Sequence, residues 1–178
     1  MLRSALTLVV VGALGALAAC GSAGEPPPEG PTGLQVGTAL DDADGSGFHS
    51  VRDFTPLDLI PGAQGGFHVW INYSLEGVAG PVYVEREARR EADGELVLRA
   101  LRQKIEVPEA AMEDWWDNPY SAPAFMCPTP IGVSVIDEPM VVTIRILDMD
   151  EQLLAEESLI VVPRCNLQSE FCQSICSG

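Results

Sequence analysis

The chain has 178 residues, a formal net charge of −16 and an apolar share of 47%. Acidity on this scale repels phosphate backbones, which excludes nucleic acid as a partner, and no basic cluster is offered to anionic lipid heads. No internal repeat is visible, and about 145 residues remain after the N-terminal segments, enough for one domain with its own core.

Arg3 supplies a positive start, and Ala5 to Ala19 is apolar apart from Thr7 and two glycines. A bilayer span needs about 20 apolar residues. The shorter run, with its charged start and small-residue exit, has the form of an export signal. Leu17-Ala18-Ala19-Cys20 resembles the lipobox of bacterial lipoproteins. That resemblance implies a signal over residues 1–19, cleavage before Cys20, a diacylglyceryl group on its sulfur and acylation of the new amine. Ala16-Leu17-Ala18 also offers an ordinary secretory cut. Cysteine parity argues against the second reading: of five cysteines, lipid on Cys20 leaves four that can pair completely. Each buried methylene contributes about 0.8 kcal/mol, so three acyl chains would hold the domain on a membrane permanently. Gly21, in place of aspartate, leans by the same resemblance toward an outer membrane. The expected address is therefore the cell envelope, with the membrane as partner through Cys20.

Residues 20–33 combine the lipid site with GSAGEPPPEGPTG, a segment that cannot bury a core and is expected to be an extended tether. A strand is expected over Leu34–Thr38. Asp42 to Asp53 (DADGSGFHSVRD) then aligns with a twelve-residue calcium loop, with Asp42, Asp44, Ser46, Phe48, Ser50 and Asp53 at the ligand positions and Gly47 at the turn. Hard oxygens at alternate positions are the right chemistry for that ion. His49 fills the slot of a branched aliphatic, however, Asp53 replaces a bidentate glutamate, and neither flank is helical. A solvated acidic turn between strands is the favoured reading, with no metal or other cofactor expected.

Phe54–Ile60 is expected to be extended. Phe67 to Glu76 (FHVWINYSLE) alternates apolar and polar side chains between glycine turn signals, the mark of a strand. Residues 81–107 contain Asp93-Gly94, a strong hairpin signal. The charged run Glu85 to Glu91 would also suit a helix, but Val82, Val84, Val97 and Leu101 tip the reading to two strands. A long insertion is expected over residues 108–130, before a strand at Ile131–Ile136. It carries Trp115, Trp116 and Tyr120, which could form an aromatic platform for a sugar or peptide or else cap an edge of the fold. Residues 140–163 read as a hairpin turning at Asp148–Gln152.

This last hairpin resembles the final two strands of immunoglobulin-like and fibronectin-like modules, and GAQGGFHVWINYSLEG looks like a segment of uncharacterised envelope lipoproteins. The fold expected for residues 34–178 is all-β, an immunoglobulin-like β-sandwich of seven or eight strands. Cys127, Cys165, Cys172 and Cys176 lack the C-x2-C knuckle of a zinc ribbon, and exported thiols oxidise, so two disulfides are expected. Each of the three possible connectivities joins Cys127 to the C-terminal cluster and staples the tail to the domain.

His49 and His68 are the only histidines, and no G-x-S-x-G, H-E-x-x-H or P-loop is present. His68 and Trp70, on the polar side of one strand, are expected to meet a loop or second sheet. The function expected is a non-enzymatic binding or scaffolding module with an envelope protein or glycan as partner. The alternative is a calcium-stabilised adhesion or carbohydrate-binding module.

Overall fold

A computed structural model of the chain describes residues 32–63, 65–129, 132–166 and 169–178. The expected signal, Cys20 and residues 21–31 of the tether lie outside the described residues.

Eleven strands are present among the described residues: β1 (Gly33–Thr38), β2 (His49–Ser50), β3 (Thr55–Asp58), β4 (Ile60–Pro61), β5 (Phe67–Glu76), β6 (Gly80–Arg90), β7 (Leu96–Val107), β8 (Trp116–Asp117), β9 (Ala122–Cys127), β10 (Met140–Leu147) and β11 (Leu153–Arg164). A short 3-10 turn (Glu109–Met112) and one helix, α1 (Ser169–Cys176), complete them. One sheet is built on β1-β5-β9, with β2, β4 and β8 as short additions; the other runs β3-β11-β10-β6-β7. All pairings are antiparallel except β3, which lies parallel to the last strand, β11. This order, with an early strand crossing over to run parallel beside the last one, is an immunoglobulin-like β-sandwich.

Alternation explains the core. Met140, Val142, Ile144 and Ile146 of β10 face Phe67, Val69, Ile71 and Leu75 of β5, and all are essentially inaccessible to water. Burying each such side chain contributes about 1.5–3 kcal/mol. On the outer face of the same sheet, Arg145 pairs with Glu156, and Thr143 shares a hydrogen bond with Ser158 at 2.8 Å. The charged run of β6 follows the same period. Val82, Val84 and Ala88 point inward, whereas Glu85 meets Arg102 across the strands. A period of two, sustained by partners on both sides, is why the strand prevails over a helix there.

The segment 108–130 differs from the expected insertion. It contains the 3-10 turn, β8 and the full strand β9, whereas residues 132–136 form no strand. Ala122–Cys127 carries two prolines' worth of turn signal around it (Pro123 and Pro128), which hides a strand that pairs with β5 along one edge only. The polar side of β5 is also not a solvent face. His68, Asn72 and Ser74 are buried: Asn72 beneath the segments that carry Gly47 and Asn118, Ser74 paired with Asp117 of β8, and His68 against Trp70 and Phe125.

The disulfides are Cys127–Cys176 and Cys165–Cys172, with Cα separations of 5.1 and 5.7 Å. The C-x3-C spacing places Cys172 and Cys176 on one buried face of α1. Phe171 on the same helix packs against Phe67, ring centroids 5.8 Å apart. The tail is thereby clamped to the end of β9.

Two outcomes are expected. Thiol labelling of the unfolded, unreduced chain should leave all four of these cysteines unmodified; label on any of them breaks the pairing. Replacing Cys127 and Cys176 together by alanine should cost about 4 kcal/mol in urea unfolding, against about 2.5 kcal/mol for Cys165 with Cys172, because the first pair closes the longer loop.

His68 sits edge-on to Trp70 at 4.4 Å and beside Phe125 at 5.2 Å, with neither ring nitrogen bonded among the described residues. Burial lowers its pKa from the ordinary histidine value. The unfolded chain then takes up the proton more readily. Stability is complete above about pH 6.5 and declines as pH falls below it. The melting temperature should drop between about pH 7.5 and about pH 5.5, and His68→Phe should flatten that slope. An unchanged slope would assign the loss to other groups.

Candidate functional site

The acidic loop is a closed turn. Leu40 and Asp41 donate their N–H groups to the Ser46 carbonyl at 3.0 and 3.1 Å, and Gly45 N–H donates to Asp41 O at 2.9 Å. Asp44 accepts from the Ser46 N–H at 2.9 Å, and its bonds from Ser46 hold its carboxyl below the usual carboxylate range. Burial, then Asp58 and Asp41, push Asp42 up. Asp53 points away and accepts the Ile160 N–H at 2.9 Å, and Ser50 lies in β2. Asp42, Asp44 and Asp53 therefore do not gather within 4.8 Å of one another. The one such group among the described residues is Cys165, Cys172 and Cys176, whose sulfurs are spent in disulfides.

The loop instead covers β5. Trp70 Nε1 donates to Asp42 O at 2.9 Å, and the Trp70 ring lies under Gly45, whose φ is +75° and where an added Cβ would come within 2.9 Å. Asn72, fully buried, donates from Nδ2 to Gly47 O at 2.7 Å and to Asn118 O at 2.8 Å. Its Oδ1 accepts from Asn118 Nδ2 at 3.0 Å, and Asn118 in turn donates to Tyr120 O at 2.6 Å.

Trp115, Trp116 and Tyr120 are not assembled into one platform. Trp115, just before β8, and Trp116, its first residue, go to different sides. Trp116 packs on the core opposite Leu75, whereas Trp115 lays its ring over Gly33. Tyr120 is 72% exposed and stands elsewhere, at the mouth of a cleft.

That cleft, of about 310 Å³, opens at the start of β9, over the inner faces of β6 and β7. Tyr73, Arg86, Gln103, Asn118, Tyr120 and Ser121 line it over an apolar floor. Arg86 shares the inward face of β6 with Val82, Val84 and Ala88, so its stem enters the sandwich. Among the described residues its Nε is buried with no hydrogen-bond partner, no carboxylate lies within salt-bridge distance of it, and the Ser121 hydroxyl is buried and unpartnered as well. Burial lowers the Arg86 pKa, with Tyr73 opposing. The Tyr73 hydroxyl is pushed up to about 12 by burial, against the pull of Arg86, and is a neutral donor at pH 7.

The arrangement can do one thing chemically. It presents a guanidinium, two phenols, a hydroxyl and the Gln103 amide without an acidic counter-charge among the described residues, which suits an acceptor group. Sequence reasoning passed over Arg86, although its register with Val82 and Val84 was a usable signal: an arginine on the inward face of a strand needs a reason.

The two tryptophans should separate in a stability assay. Trp116→Ala should cost about 2–3 kcal/mol and Trp115→Ala less than about 1 kcal/mol in urea unfolding; equal costs would contradict their opposite placement. No protein-family model matches this sequence and no curated protein is detectably similar to it.

Proposed function

We propose that this chain is a lipid-anchored lipoprotein of the bacterial cell envelope, on the outer membrane, and that its sandwich is a non-enzymatic binding module. The address rests on the order Leu17-Ala18-Ala19-Cys20 after a charged start and a short apolar run. Two disulfides fit an oxidising compartment, where such bonds persist. The proline-rich tether, at roughly 3 Å per residue, would hold the domain up to about 40 Å off the bilayer. That reach suits a partner in the surrounding envelope, a protein or a glycan.

The single observation that carries the binding reading is the cleft around Arg86. A half-buried guanidinium with no acidic partner costs stability in the free protein. Such a cost is met where a ligand supplies the missing charge. The acidic loop and the tryptophans, by contrast, are engaged in holding segments onto β5 and β1.

The address is tested by Cys20→Ser. The unaltered chain should sediment with membranes through a salt wash, and the variant should move to the soluble envelope fraction. A variant that still sediments would overturn the lipid anchor.

A further inference from the structure

We infer that the Arg86 cleft is a carboxylate-binding site, taking a singly charged carboxylate carried on an apolar or aromatic body. The inference deepens the reading of the domain as a binding module and is independent of the anchor.

The charge of the cleft comes first. The chain holds 26 acidic and 10 basic residues, yet this cleft is lined by an arginine and by no acid. Arg102 meets Glu85 and Glu151, Arg145 meets Glu87 and Glu156, Arg90 meets Asp93, and Arg164 meets Asp137. Among the described residues Arg86 has no such partner. Its position on the inner face of the sheet is what denies it a partner, since the acids of β6 and β7 point outward.

Hydrogen-bonding capacity comes second. Nε of Arg86 is free, and a guanidinium offers Nε–H with a neighbouring Nη–H as a planar fork that matches the two oxygens of a carboxylate. The Ser121 hydroxyl is unpartnered beside it, and Tyr73 contributes a phenol that stays protonated at neutral pH. These donors line one space whose apolar walls are Val84, Ile105, Ala122 and Pro123. Apolar walls with a few convergent polar groups are the usual make-up of a small-molecule pocket, and about 310 Å³ is at the small end of that range. Tyr120, mostly exposed at the mouth, offers a ring against which the body of the ligand can lie.

The overall field selects among anions. A net charge of −16 repels a dianionic phosphate more strongly than a monocarboxylate, and one arginine neutralises only one charge. A carboxylate at a peptide C-terminus and one on a free organic acid share this chemistry.

The test uses the full chain and four probes: N-acetylphenylalanine, its neutral amide, inorganic phosphate, and a blocked tetrapeptide ending in phenylalanine. The acid should bind saturably and move the NMR signal of the Arg86 Nε–H. The amide and phosphate should bind weaker by about tenfold or more. Tetrapeptide binding equal to that of the single residue supports a chain terminus as the source; preference for the single residue supports a free acid. Arg86→Met, which keeps the length and apolar volume, should abolish the preference for acid over amide while the melting temperature holds or rises. A structural arginine would show the opposite, a lower melting temperature, and that result would overturn the inference. So would equal binding of acid and amide, tighter binding of phosphate, or no saturable binding. If Arg86→Met does not fold, Tyr120→Ala decides: its exposed ring is dispensable to the core, so weaker binding of the acid by a folded variant supports the site and unchanged affinity overturns it. Cys20→Ser should bind the acid as the unaltered chain does, so a failed anchor and a failed site are read apart.

Discussion

The carboxamide of Asn72 is the interaction on which the site depends. Both its N–H groups donate, to Gly47 O and Asn118 O, and its oxygen accepts from Asn118 Nδ2 and from the Tyr73 N–H. All four capacities of the amide are used, in a place with no access to water. Leaving any one of these groups unpaired would cost about 1–3 kcal/mol, so the two covering segments are held together. Around this amide, Gly47 N–H bonds Pro119 O and Ser121 N–H bonds Gly45 O, at 3.0 and 2.7 Å. The acidic turn and the 118–121 segment thus become one lid over β5, and that lid sets Tyr120 and Ser121 at the mouth of the cleft.

A second constraint is the unequal width of the two sheets. Three longer strands, β1, β5 and β9, face five, and the cleft lies on the β7 side. The other side is closed by β3, which the chain reaches through Phe54 at a positive φ of 62° while Asp53 caps the Ile160 N–H. Along the opposite flank β9 approaches β7, and the cleft between them leaves room for a polar head. Arg86 occupies it. Its stem covers apolar surface and its head reaches the gap, as long cationic side chains do at apolar boundaries.

The disulfides act at the far end. Cys127 ends β9 and Cys176 ends α1, so the strand that forms one wall of the cleft is tied at its terminus to a tail packed on Phe67. Such a wall is restrained before any ligand arrives, which reduces the ordering cost of binding. The outer face of the wide sheet, with its cross-strand pairs of arginine and glutamate, supplies solubility and blunts the sheet against pairing with other chains.

Period two was legible in the sequence from Phe67 to Glu76 and from Met140 to Val162, because there each strand has one face packed on the same core and its apolar residues repeat accordingly. The hairpin at Asp93-Gly94 was legible for the same local reason, a turn that only certain residues make. β9 was not, since its prolines mask the pattern, and α1 was not, since one eight-residue helix held by cystines needs no strong period. Four paired cysteines followed from parity, but which of three connectivities forms depends on where the tail meets β9. The acidic loop and the tryptophan pair were conspicuous as residue types, and the structure engages both in covering neighbouring strands. Arg86, Ser121 and Tyr73 were inconspicuous, being separated along the chain by up to 48 positions. Local periods and chemical types are properties of the chain and could be read from it; the placing of those three side chains around one cleft depends on how β5, β6 and the start of β9 pack together, which is a property of tertiary structure alone.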